Sequence, residues 1–148
     1  MIHFYRLARW LFVRRIPVLP RLIYIFNRIV FSVVLPPSAE VGRNVVFGYS
    51  GLGIVVHKRA RIGNNVIVSP NVTIGGRSGL LDVPVIEDDV LIGAGACILG
   101  PVTIGRGAKI GANAVVLRDV AAGATAVGNP ARISPGDGDA ISAHGGSP

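Results

Sequence analysis

From residue 41 onward, aliphatic residues return every six positions, a spacing that suits neither the 3.6-residue period of a helix nor the two-residue period of a strand. Ile86, Ile92, Ile98, Ile104, Ile110 and Val116 are each six apart, and Val56, Ile62, Val68 and Ile74 keep the same interval upstream. Four residues after these positions comes a smaller or branched residue, as at Ala60, Val66, Val72, Ala96, Ala108 and Ala114, and glycine often follows directly, as at Gly63, Gly75, Gly93 and Gly105. A hexapeptide period predicts a parallel β-helix. One aliphatic side chain per hexad points inward, a smaller one shares the interior, and three hexads make one triangular coil. The series from Val41 to Val116 predicts about five coils.

Two stretches break the period. Phe47 to Val56 spans one hexad plus three residues, and the surplus is the Gly-rich run Gly48-Tyr49-Ser50-Gly51-Leu52-Gly53. Gly75 to Val85 is a second interruption, in which Gly76, Arg77, Ser78, Gly79 and Asp82 replace regular hexads. Both predict loops lifted off the prism, where sites tend to be built on a rigid scaffold.

The first 35 residues follow a different pattern. Phe4, Leu7, Trp10, Leu11, Leu22, Ile25, Phe26 and Ile29 recur at helical spacing, and Pro17 and Pro20 divide them into two short amphipathic helices. Arg6, Arg9, Arg14, Arg15, Arg21 and Arg28 are interleaved with no acid, so +6 of the formal charge of +7 lies here. These arginines interrupt every apolar run well before the roughly 18 residues of a membrane span. The segment is expected to pack on the domain or a sister subunit, to lie on an anionic membrane surface, or to do both. The organisation expected is a basic helical segment over 1–35, the β-helix over 36–134, and a disordered Gly-, Ser-, Asp- and Pro-rich tail over 135–148.

Composition narrows the classes. Half of the 148 residues are apolar but only 6% are aromatic, with 20 glycines, which excludes a disordered chain or a helical bundle. The charge outside the helices is nearly balanced and lacks a basic stripe with stacking aromatics, so nucleic-acid binding is not expected. The single Cys97 permits no intramolecular disulfide, suits a cytoplasmic location, and is expected to serve packing. His57 is the only histidine in the repeats, the others being His3 and His144, so no metal site is expected. It follows the Gly-rich interruption at a position where other hexads carry glycine, which predicts a side chain leaving the core at a corner. A histidine there has the chemistry of a general base.

The hexads, Gly53-Ile54-Val55-Val56, Val72-Thr73-Ile74-Gly75-Gly76, Ile92 through Gly100 and the ending Val127-Gly128-Asn129-Pro130-Ala131-Arg132 together resemble the left-handed β-helix acyltransferases of the hexapeptide-repeat superfamily. Within it the chain is similar, over roughly 34–133, to the serine-acetyltransferase-like enzymes of polysaccharide and lipopolysaccharide modification. The resemblance implies a left-handed, mainly β coil and a homotrimer binding acetyl-CoA between neighbouring prisms. It implies the pantetheine arm along Gly76, Ala94 and Ala112, with Arg132, Lys109 and Arg118 towards the phosphates. It also implies O-acetylation of a sugar or glycolipid-linked hydroxyl, with His57 as base and Tyr49, Ser50 and Asp82 shaping the acceptor pocket. Serine O-acetylation and a non-catalytic trimeric scaffold are the alternatives. The chain departs from true serine acetyltransferases at Ser50 and Val83, where the resemblance puts histidines, and at Val34, where it puts the aspartate gripping the serine amine.

Overall fold

The computed structural model describes residues 1–136; the expected disordered tail, with His144, lies from residue 137 onward outside the described residues. Strands of two or three residues each span one side of the prism, and all but the last stack in parallel into three faces. The first face holds β1 (Glu40–Val41), β4 (Arg61–Ile62), β7 (Val85–Ile86) and β10 (Thr103–Ile104). The second holds β2 (Val46–Phe47), β5 (Ile67–Val68), β8 (Leu91–Ile92), β11 (Lys109–Ile110), β13 (Thr125–Val127) and β14 (Arg132–Ser134). The third holds β3 (Val55–Val56), β6 (Thr73–Gly75), β9 (Cys97–Leu99) and β12 (Val115–Val116).

Register confirms the six-residue reading. Ile62 pairs with Ile86, Val68 with Ile92, and Ile74 with Ile98, stacking like on like down the interior. Ile74, Ile92, Ile98 and Ile104 are fully buried. Their strand neighbours point outward, and Val46, Ile67 and Leu91 form an apolar column on the second face, 44–55% exposed. Cys97 belongs to such an outward column, half-buried between Thr73 and Val115, so it packs on the third face rather than in the core.

The corners turn through left-handed backbone. Asn44, Asn65, Asp89 and Gly107 occupy one column with φ of 54°, 55°, 61° and 70°, and the Asn44–Asn65–Asp89 side chains form a hydrogen-bonded ladder. Asn and Asp tolerate this region because their side chains satisfy local polar groups. Gly93 is required for a different reason: a Cβ there would lie 2.6 Å from the backbone nitrogen of Ala112.

Four complete coils form instead of about five, with partial coils at each end through the Val34–Val55 and Ile104–Val120 bridges. After β13 the chain reverses at Gly128–Pro130, and β14 runs antiparallel to it, so the hexad pattern ends in a closing turn rather than another coil.

The helices α1 (Ile2–Val13) and α2 (Leu19–Phe31) form a hairpin, with α1 against the N-terminal end of the prism. Tyr5, Ala8 and Leu11 are its buried stripe, and the Tyr5 hydroxyl donates to the Ala39 carbonyl at 2.6 Å. Arg6 donates to the carbonyls of Val41 and Gly42, and Arg9 to that of Ala39 at 2.7 Å. Two of the six N-terminal arginines thereby satisfy carbonyls at the start of the first coil, which realises the packing role expected of the segment. Among the described residues, no helix is long and apolar enough to cross a membrane.

Candidate functional site

The corner where the third face passes to the first face of the next coil carries the second interruption. The segment 76–84 departs there between β6 and β7, with Arg77 through Asp82 exposed. His57 sits at the same corner one coil earlier. Extending the β3–β6–β9–β12 register by one residue stacks His57, Gly75, Leu99 and Leu117 in one column, and by two residues Lys58, Gly76, Gly100 and Arg118. His57 and Arg118 therefore lie three coils apart on one edge, about 14 Å at about 4.8 Å per coil.

The His57 backbone is fixed by donation to the Ile74 carbonyl at 2.8 Å, and the half-exposed ring accepts from the Arg59 amide at Nδ1, 3.2 Å. A neutral imidazole accepting at Nδ1 carries its proton on Nε2. Among the described residues nothing partners Nε2. The Arg59 guanidinium donates to the carbonyl of Leu81 in the projecting loop, so one residue ties the loop to the histidine corner. Sequence reasoning missed Arg59, because the Leu81 carbonyl that its guanidinium meets lies in the projecting loop, outside the repeat whose period carries the signal.

The other expected site residues divide between corners. Asp82 shares the His57 corner, on the loop, exposed and without a hydrogen bond or ion pair among the described residues. Tyr49 and Ser50 instead form the 3-10 turn Gly48–Gly51 at the preceding corner of the first coil, across the third face from His57. Both adopt left-handed backbone, φ 47° and 58°, and Tyr49 is 85% exposed. A single prism therefore does not gather Tyr49 and Ser50 around His57.

Gly76 lies at the His57 corner, whereas Ala94 and Ala112 neighbour each other at the corner between the second and third faces, where the Asn113 amide donates to the Ala94 carbonyl at 2.8 Å. All three are exposed. The three thus stand at two corners of the prism, with the third face between them. Arg118 and Arg132 line one cavity of about 530 Å³ with Leu117, Asn129 and Ala131, beside the closing turn. Lys109 stands apart on the outer side of the second face. Among the described residues no three His, Cys, Asp or Glu side chains cluster as a metal site.

Residues 39–70 match the family model "Hexapeptide repeat of succinyl-transferase" and residues 84–118 match "Bacterial transferase hexapeptide (six repeats)". A serine acetyltransferase of Synechococcus elongatus is 38% identical over 132 residues, covering 87% of this chain and 53% of the relative. The crystal structure of Neisseria gonorrhoeae serine acetyltransferase in complex with serine superposes with a TM-score of 0.83 at 37% identity, covering 88% of this chain and 54% of that one. A serine acetyltransferase structure in complex with CoA gives a TM-score of 0.83 at 38% identity, covering 90% and 55%. The chain thus spans about half the length of these relatives. On matched repeats, shared identity and superposed coils, it belongs to the hexapeptide-repeat acyltransferase superfamily and is serine-acetyltransferase-like within it.

Proposed function

We propose that the protein transfers an acetyl group from acetyl-CoA to a hydroxyl of a small-molecule acceptor, with His57 as the general base. The observation carrying this reading is the placement of the only histidine of the coils at the corner shared with Gly76, the projecting loop and, farther along the same edge, Arg118. The acceptor oxygen attacks the thioester carbonyl carbon as His57 takes its proton. When the C–S bond breaks, the imidazolium returns that proton to the departing sulfur, giving an ester and free thiol. To accept at Nε2 the ring must carry its other proton on Nδ1, giving up the Arg59 amide contact at a cost of about 0.5–1.5 kcal/mol.

Serine is the acceptor favoured by the comparisons, since the relatives are serine acetyltransferases. The sugar hydroxyl expected from the sequence has no support there. It remains as a second reading on one observation: Val34, Ser50 and Val83 offer neither the carboxylate nor the histidines that serine binding would use.

The proposed assembly is a homotrimer. Gly76 stands at a different corner from Ala94 and Ala112, so a groove using all three needs a neighbouring prism, and the outward column Val46, Ile67 and Leu91 supplies apolar surface for that contact. Thiol release from acetyl-CoA, measured with serine, free sugars and nucleotide sugars, tests the reading. Turnover with one of these and its loss in His57→Ala by about 10²- to 10⁴-fold is expected. A correctly folded oligomer without turnover on any acceptor would identify the scaffold instead.

A further inference from the structure

The helical hairpin carries an apolar surface that its packing against the prism leaves uncovered. On α2, Leu22, Phe26 and Ile29 are 55%, 44% and 76% exposed, on the side opposite buried Pro20 and Asn27. On α1, Phe4, Leu7 and Trp10 are 41–50% exposed at a spacing of three. The two stripes join where the Phe4 and Phe26 rings meet, their centroids 5.1 Å apart. A joined patch of this kind differs from the scattered apolar residues of ordinary surfaces.

The charge beside it has one sign. Arg6 and Arg9 are occupied with carbonyls at the first coil, whereas Arg14, Arg15, Arg21 and Arg28 are exposed and, among the described residues, enter no ion pair. No acid precedes Glu40. The Arg14 guanidinium lies 3.9 Å from the Trp10 ring centroid, an arrangement that keeps a cation and an amphipathic aromatic together at an interface. A two-fold contact with a second copy through this face would set like charges together.

We propose that this hairpin face docks the protein on an anionic lipid surface, with the apolar stripes in the acyl boundary and the four free arginines on lipid phosphates.

The proposal stands independently of acetyl transfer, because its test needs no turnover. Full-length protein is sedimented with vesicles of phosphatidylcholine alone and of phosphatidylcholine with phosphatidylglycerol, at low and high salt. Binding to the anionic vesicles, at least about tenfold weaker to neutral ones and weakened by salt, is expected. Arg15→Gln with Arg21→Gln should weaken anionic binding about 25-fold, at ~1 kcal/mol per arginine and 1.4 kcal/mol per tenfold. Leu22→Ser with Ile29→Ser changes two residues more than half exposed, preserves the fold, and should also reduce binding. Equal binding to both vesicle types, or to neither, overturns the proposal. So does dissociation of the vesicle-free oligomer by the Leu22/Ile29 variant, which would assign the face to a second copy.

Discussion

Ile98→Ala strikes the centre of the solenoid. Ile98 is fully buried in β9, stacked between Ile74 of the preceding coil and Val116 of the following one, both also fully buried. The substitution removes three carbons, worth about 2.4 kcal/mol at ~0.8 kcal/mol each. A strand this short, locked by ladders on both sides, cannot collapse onto the gap, so a cavity term adds to this and the total is about 3–4 kcal/mol. Because each coil contacts only its neighbours, the loss falls on both interfaces of the third coil. Cys97→Ala, one residue earlier on the outer face, removes one half-buried sulfur and should cost less than about 1 kcal/mol. Urea unfolding of both variants at one protein concentration measures the contrast, and with m of about 2 kcal/mol/M the midpoint should fall by about 1.5–2 M for Ile98→Ala. Equal midpoints for the two variants, or a greater fall for Cys97→Ala, would refute the inward and outward assignment of the strands.

Arg59→Ala should free the segment 76–84 from the histidine corner, raising its proteolytic cleavage and lowering turnover about tenfold while shifting the unfolding midpoint little; unchanged turnover would separate Arg59 from the site. Burial, only partly offset by Arg9 and Arg6, holds the Tyr5 hydroxyl above its ordinary pKa. The unfolded chain ionises first, so the contribution of Tyr5 is complete below pH ~10 and lost as pH rises towards the folded value. Tyr5→Phe should therefore cost about 1 kcal/mol at pH 7, from the lost bond to Ala39, and show a shallower decline above pH 10 in thermal unfolding.

The core was legible because burial in a coil imposes a strict period: once Ile98 is inside, Cys97 must be outside, and the same alternation places Leu91 and Ile67 on the surface. The two interruptions were legible as departures from that period. The separation of Tyr49 and Ser50 from His57 also follows from counting, since the third face intervenes, whereas the shared pocket came from the family resemblance and not from the period. The number of coils was overestimated because the two interruptions add chain length between Val41 and Val116 without adding inward positions, leaving twelve strands at three to a coil. Arg6, Arg9 and Arg59 were opaque for a common reason: each donates to backbone groups distant in sequence, and a charge pattern identifies a cation without its acceptor.

Whether the His57 corner performs base-catalysed acetyl transfer is decided by His57→Gln. Glutamine retains an N–H donor of similar reach but cannot take a proton. Thiol release from acetyl-CoA with the acceptor that supports turnover in the unmodified protein should fall by about 10²- to 10⁴-fold in His57→Gln, as in His57→Ala, with oligomer and acetyl-CoA affinity preserved. Turnover within a few-fold of the unmodified protein in His57→Gln would show that the ring supplies at most a donor and that the base lies elsewhere.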